Sequence, residues 1–249
     1  MNDAVSKVSF CITCKGRLHH LRQTLPKNIE DNRGLNGIEF VLLDYSSPDS
    51  LSEWVRTSCV KELETGLLVY YKLENQTRFN HAHAKNVAHR LARGHIVCNL
   101  DADNFSGCGF AEFLHKTIGY RDNSFVCAVG VRGAYGRLAF VKSDFERLGG
   151  YNEDLIYGYG YEDDDLRFRA KALGLNAEVL RPPSPYLRLL LHDDSERTLF
   201  SPCANKSHSW RFHREISDRN IANGILTANL ERSWGSARVQ KNFCEIVEL

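Results

Sequence analysis

With 249 residues, 43% of them hydrophobic and 25% charged, the chain can bury one sizeable core and has the composition of a globular domain. A formal net charge of +1 excludes bulk electrostatic capture of nucleic acid, and no apolar run is long enough to span a bilayer. Eight cysteines without a secretory leader point to reduced thiols in a cytoplasmic setting, with the chain free or peripheral to a membrane.

Residues 5–14 alternate and then run apolar, as a buried first strand does. The pair Cys11 and Cys14 lies in that strand and has no second ligand pair at zinc spacing, so a metal or redox role is not its first reading. Lys15-Gly16-Arg17 breaks the strand, and a helix begins over 18–25 that Pro26 punctuates. Residues 38–44 read as a second buried strand ending on Asp44. The turn Ser46-Ser47-Pro48-Asp49 caps a helix over 51–60. A third strand covers 67–73. A helix over 80–92 gathers Ala84, Val87, Ala88 and Leu91 on one face and stops at Gly94. The fourth strand, 95–100, runs into Asp101-Ala102-Asp103.

This alternation predicts an α/β fold, a mostly parallel sheet with helices on both faces, in a single domain spanning 1–249. Ligands of such sheets sit beyond the carboxyl ends of the strands, where strand order switches. Asp44 and the Asp101/Asp103 pair are therefore expected to share a crevice. Farther on, 181–185 reads as a rigid Pro-rich turn, and 186–191 as a buried strand leading to His192. A helix near 217–228 and a last strand over 243–247 complete the chain. The basic tract 206–219, with Trp210 and Phe212, reads as a solvated face.

Two carboxylates one residue apart at a strand end can hold a hard divalent cation against phosphate oxygens, which a departing diphosphate requires. Taken singly, His192 reads first as a structural histidine; as a ligand beside aspartate it would suit Mn²⁺ (or Mg²⁺). Lys15 and Arg17 follow the first strand and could meet a diphosphate. Arg78, His81, His83 and Lys85 surround the start of the 80–92 helix and read equally as its solvated face. The run Gly158-Tyr159-Gly160-Tyr161-Glu162-Asp163-Asp164-Asp165 opens a helix over 166–173. One reading is an acidic helix N-terminus favoured by the helix dipole. The other is a site in which an aromatic–glycine loop approaches a ligand and one carboxylate accepts a proton. A helix N-terminus and a nearby cation would both favour the charged form and make that carboxylate a weak base.

Taken together and in order, these pieces resemble a metal-dependent glycosyltransferase of the GT-A (Rossmann-like) fold, and more narrowly the β-1,4-galactosyltransferase family and its bacterial family 2 relatives. Phe79-Asn80-His81-Ala82 with Asn86-Val87 is similar to the family's Phe-Asn-Arg-Ala…Asn-Val element. Asp101-Ala102-Asp103 matches its Asp-Val-Asp motif, and Gly150-Tyr151-Asn152-Glu153 its Gly-Phe/Tyr turn. Residues 157–165 are similar to its Trp-Gly-Trp-Gly-Gly-Glu-Asp-Asp-Asp run.

The resemblance implies a nucleotide-sugar-binding half, 1–104, and an acceptor-binding half, 105–249. It implies metal ligation by Asp103 and His192, and a catalytic base in Asp163. Glu162 and Tyr159, with Gly160, would hold the acceptor. Asp101, Phe79 and Asn80 would line the donor side, Asp44 would contact the uridine, and Arg17 and Lys15 would lie near the diphosphate. Asp164 and Asp165 remain helix-start acids. The partners implied are a UDP-sugar donor and a glycan or lipid-linked saccharide acceptor, joined by direct displacement with inversion.

The chain departs from the family at Leu189, where a methionine ligand is usual, and in the tyrosines that replace tryptophans. It also departs at Gly133 and Ala134, where bulkier residues sit near the donor sugar. Space there leaves the donor open between galactose and N-acetylgalactosamine, with glucose as a third option. The competing readings are a nucleotidyltransferase, for which Lys15-Gly16-Arg17 is a poor phosphate loop, and a non-catalytic nucleotide- or sugar-binding module.

Overall fold

A computed structural model describes residues 7–33, 35–121, 123–156, 158–201 and 205–249. Val5 and Ser6, at the head of the first predicted strand, and Tyr157, at the head of the aromatic–glycine motif, lie outside the described residues.

The strands are β1 (Val8–Cys14), β2 (Ile38–Tyr45), β3 (Leu68–Leu73), β4 (Ile96–Asn99), β5 (Ser124–Ala128), β6 (Leu138–Val141), β7 (Asn176–Leu180), β8 (Arg238–Lys241) and β9 (Glu245–Glu248). They form one sheet in the order β7-β5-β6-β4-β1-β2-β3-β8-β9. Parallel pairing joins β4, β1, β2 and β3, and separately β5 and β7. Only β6 and β8 run against the other seven strands, so the sheet is mostly parallel in direction.

The wholly buried runs of β1 and β2 follow from this, because helices cover both faces of a parallel sheet. On one face, α1 (Leu18–Asp31), α2 (Leu51–Ser58) and α5 (Phe110–Ile118) pack over Phe10, Ile12, Phe40 and Leu42. On the other, α4 (His81–Leu91), α6 (Lys142–Arg147) and α7 (Glu162–Ala172) pack over Cys11, Val41, Leu43 and Val97. Cys11 and Cys14 belong to these two opposite cores, so they cannot chelate one ion.

Several elements differ from the sequence pattern. Helix α1 runs through Pro26 to Asp31. Pro26 and Arg22, whose carbonyl loses a partner there, both face solvent, where water can replace the missing bond. The helix is then held from the buried side. Asn28 donates to the Asn104 carbonyl at 3.0 Å and accepts from the Ser106 N–H at 2.8 Å, while Asn32 donates to Ser106 Oγ at 2.9 Å.

The predicted 51–60 helix breaks at Cys59 into α2 and the short α3 (Val60–Glu64). The predicted 186–191 strand is a 3-10 turn, Pro185–Leu187, with an isolated bridge from Leu189 to Asn104; Leu191 is 91% exposed. An apolar run alone does not distinguish a strand from a coil whose side chains point to both solvent and core. The late helix is α9 (Lys206–Ala222), which starts where Asn205 accepts from the His208 N–H, and not at 217. The final strand has a partner that the sequence pattern did not show, β8, which joins it to β3.

Replacing Asn28 with alanine strands two buried partners of the segment after Asp103. Unfolding in urea should show a loss of about 2–6 kcal/mol with an unchanged slope, at about 1–3 kcal/mol per unsatisfied group.

Candidate active site

Strand order turns between β1 and β4, whose following segments diverge. A cavity of about 290 Å³ opens there at the strands' carboxyl ends. Its walls include Thr13 near the end of β1 and Arg17 after it, Asp101 and Asp103 after β4, Lys85 from α4, and Glu162 and Asp163 from the start of α7. Of the residues singled out from the sequence, Lys15, Arg17, Phe79, Asp101, Asp103, Tyr159, Gly160, Glu162, Asp163 and His192 line it.

Asp44 and Asn80 are not on that lining. Asp44 is buried, accepting from the Ser47 N–H at 2.7 Å and from the Tyr70 hydroxyl at 2.7 Å, and burial pushes its carboxyl up. Asn80 caps α4 by accepting from the His83 N–H. The Lys15 ammonium spends all three protons on the carbonyls of Tyr45, Ser46 and Gln76, at 3.2, 2.7 and 2.7 Å. All three residues thus have internal partners, and of them Lys15 alone is on the cavity lining.

Asp103 and His192 meet although 89 positions separate them. Oδ2 of Asp103 lies 2.5 Å from Nε2 of His192. His192 Nδ1 lies 3.2 Å from the Asp193 carbonyl, and its Nε2 and Asp103 Oδ2 are close enough to share a proton. With that proton displaced, an imidazole nitrogen and a carboxylate oxygen converge on one place. That donor set fits a divalent cation. Burial opposes the charge of Asp103, but His192, Asn104 and Arg17 outweigh it and hold the carboxyl below its usual range.

Asp101 lies beside them, and Asn99 donates to its Oδ1 at 2.9 Å. A Cβ at Gly136 would lie 2.6 Å from Asp101 Oδ2, so a side chain there would push the Asp101 carboxylate from this position. Arg17 stands over the pair, with Nη1 at 3.3 Å from His192 Nε2 and 3.1 Å from His20 Nδ1. His19, His20 and Glu196 gather nearby. Burial pushes the His20 imidazole down to about 4, so it is neutral. Donation from Arg17 makes its Nδ1 the acceptor and leaves the proton on Nε2, toward Glu196 at 3.6 Å. That cluster fastens α8 (Asp194–Thr198) to α1, and its ligand atoms all lie within 4.8 Å of one another.

Across the cavity, the acidic run divides. Asp165 pairs with Arg169 at 2.8 Å, and Arg169 donates to the carbonyls of Leu148 and Gly150, so this acid is structural. Asp164 pairs with Arg167. Glu162 and Asp163 share the buried ammonium of Lys85, at 3.0 and 2.6 Å. Burial works to raise the Glu162 carboxyl, and Lys85 and His81 overcome it, holding it at about 2. Asp163 goes the other way. Burial, together with the charges of Glu162 and Asp101, outweighs Lys85 and pushes its carboxyl up to about 8. The expectation of a weak base with a depressed pKa is thereby corrected, because neighbouring carboxylates and desolvation exceed the helix dipole and the cation.

The aromatic–glycine loop is held from α9. Ser209 Oγ accepts from the Tyr159 N–H at 2.7 Å, and His213 Nδ1 donates to the Gly160 carbonyl at 2.7 Å. Gly160 has φ +85, and Tyr161 has φ +79 where α7 begins. A tyrosine in that left-handed conformation stores local strain beside the acids. Its ring packs edge-on against Trp210 at 5.0 Å. The basic tract read as a solvated face thus contributes Lys206 and Trp210 to the cavity. Ser209 and His213 were the main residues that sequence reasoning missed, and Lys85 was named at the helix start but not paired with the acidic run. Only the i, i+4 spacing of Ser209 and His213 signals a shared helix face.

A family model described as the N-terminal domain of galactosyltransferase matches residues 129–193. No curated protein sequence matches the chain. Among solved structures, S. aureus TarS 1-349 in complex with UDP aligns with a TM-score of 0.63 and 16% identity, covering 90% of this chain and 67% of that one. The mannosyltransferase PcManGT from Pyrobaculum calidifontis, in complex with GDP-Man and Mn²⁺, aligns with a TM-score of 0.63 and 21% identity over 90% of this chain and 65% of that one. The chain has the GT-A glycosyltransferase fold. TarS 1-349 in complex with UDP-GlcNAc aligns equally well over this GT-A fold, with a TM-score of 0.64, 16% identity, and 90% and 68% of the two chains covered.

If Asp103 and His192 share a metal ion, Asp103→Asn and His192→Ala should each weaken Mn²⁺ binding by more than about 100-fold, beyond what outer-shell changes cost. Glu196→Gln should leave it within about twofold, as read by electron paramagnetic resonance of the free ion. Equal losses in all three would move the ion to the histidine cluster.

Proposed function

We propose that the protein is a metal-dependent, inverting glycosyltransferase that moves galactose or N-acetylgalactosamine from a UDP-sugar to an acceptor hydroxyl on a glycan or glycolipid. One observation carries this reading. The Asp103–His192 pair and the Lys85–Glu162–Asp163 cluster line the same cavity at the switch in strand order, within the GT-A fold. The match of residues 129–193 to a galactosyltransferase domain supports the galactose branch. The nucleotide and nucleotide-sugar complexes of TarS and PcManGT support a nucleotide-sugar donor, and the Mn²⁺ of PcManGT supports a divalent cation.

In this reading residues 1–104 supply most of the donor side, and residues 105–249 the acceptor side. Asp103 and His192 would hold Mn²⁺ (or Mg²⁺). The bound cation supplies charge neutralisation for the departing diphosphate. Arg17 adds a guanidinium on the same side, with Asp101 and Phe79 beside the donor. Asp44, Asn80 and Lys15 support that wall through their internal bonds.

On the other side, Glu162, Tyr159 and Gly160 hold the acceptor. The acceptor oxygen forms a bond to the anomeric carbon as the bond from that carbon to the diphosphate oxygen breaks, and the hydroxyl proton passes to Asp163. A carboxylate with a raised pKa is a stronger base than an ordinary aspartate and suits that transfer. Gly133 lines the cavity while Ala134 is buried behind it. The space at Gly133 is bounded by Arg197 and Leu189, and those side chains decide how an N-acetyl group is received.

Asp163→Asn should lower transfer by about 10²–10⁴-fold, the usual contribution of a general base. UDP binding in Mn²⁺, followed by calorimetry, should persist. The base works only when unprotonated, so kcat/KM in the parent enzyme should fall as pH drops through about 8, not through the 3.8 of an ordinary aspartate. Full activity in Asp163→Asn, or a rate flat from pH 9 to 5, would remove Asp163 from the role.

A further inference from the structure

Lys85 is among the most buried cations of the described residues, 4% exposed, and it lies on α4, the helix whose first turn forms the donor wall. Its ammonium reaches across the cavity to two consecutive acids of α7 and lies 5.2 Å from the centre of the Tyr151 ring. The backbone around it leaves little freedom. The next residue, Asn86, donates to the Tyr151 carbonyl at 2.9 Å and to Glu153 at 2.8 Å, and accepts from the Tyr151 N–H at 2.8 Å. Helix α4 is thereby pinned to the turn that precedes the acidic run. A buried lysine is costly unless its charge is met, and here two carboxylates meet it.

The groups facing Asp163 are Lys85 from α4, Asp101 after β4 and Glu162 on its own helix. His81 from α4 faces Glu162, and the Tyr151 hydroxyl, which has no hydrogen-bond partner, faces the whole cluster. Of the charged groups that act most strongly on Asp163 among the described residues, Lys85 is the one cation. Without that ammonium, three carboxylates would face one another in a half-closed cavity. Asp163 would then have no donor at 2.6 Å to hold its Oδ1 in place.

We propose that Lys85 is the positioning residue of the base. From the donor-side helix it fixes Asp163 Oδ1 toward the acceptor, and it offsets Glu162 so that Asp163 can lose its proton in the working range. This rests on the reading of Asp163 as the base. Because α4 also carries His81 at its start, directly after Phe79 and the Asn80 cap, the donor wall and the base share one rigid support.

Side-chain ¹³C resonances of labelled aspartate, with Asp163 assigned by its loss in Asp163→Asn, report the titration without needing a substrate. Lys85→Met should raise the Asp163 midpoint by about one pH unit or more, the size of effect that an adjacent opposite charge exerts. The acidic limb of sugar transfer should move by the same amount, and Lys85→Arg should return it toward the parent value. Should Lys85→Met fail to fold, the comparison is between Glu162→Gln and the double variant Lys85→Met/Glu162→Gln, whose midpoint should be higher by the same unit. A midpoint that is the same with and without Lys85 in folded protein overturns this inference alone. A parent enzyme that acts on no UDP-sugar overturns both it and the functional reading.

Discussion

Asp101, Asp103, Glu162 and Asp163 are four of the carboxylates that face one cavity, and the site exists only because each is met differently. Asp101 takes the neutral amide of Asn99, Asp103 faces His192, and Glu162 and Asp163 divide Lys85. An unmatched buried charge costs several kcal/mol, so removing any one of these partners should disturb the others. The unequal matching also sets chemistry. Glu162 keeps its charge, while Asp163 is pushed toward holding a proton near neutrality. Two neighbouring acids whose environments drive their pKa values apart can take separate roles, one binding and one moving a proton.

The frame that brings these groups together is mostly hydrogen bonding to backbone. Asn28 and Asn32 hold the segment after Asp103, Asn86 holds the turn before α7, and Arg169 holds the carbonyls of Leu148 and Gly150. From outside, Ser209 and His213 on α9 fix the Tyr159–Gly160 backbone. The acidic run therefore sits on a support with little play, and the left-handed Tyr161 is held by its surroundings. Rigid placement of this kind lowers the cost of bringing an acceptor hydroxyl to a base.

Much of this was legible in the sequence. Strands β1, β2, β3 and β4 stand within a few residues of their apolar runs, and the helix from 81 to 91 follows its cap and face. The family resemblance grouped Asp103, His192 and Asp163, and all three line one cavity. The strand-end argument reached only Asp44 and the Asp101/Asp103 pair, and Asp44 is not on the lining. What periodicity could not supply was pairing across distance. Lys85 looks like any lysine on a polar helix face until α7 is set against it, and then it is the ammonium between two acids. The same holds for Arg169, which reads as an ordinary helix-end charge yet is 1% exposed and clamps two carbonyls. The 186–191 segment failed for another reason: its apolar residues serve a coil that passes Asn104 once and then turns outward at Leu191.

The central claim is that the two charged clusters act on a nucleotide sugar. Release of UDP from a panel of UDP-sugars, measured without an acceptor, tests it most directly. The expected result is slow hydrolysis of UDP-galactose or UDP-N-acetylgalactosamine that stops in chelator and returns with Mn²⁺. No UDP release from any UDP-sugar, with pyrophosphate released instead from a nucleoside triphosphate, would contradict it.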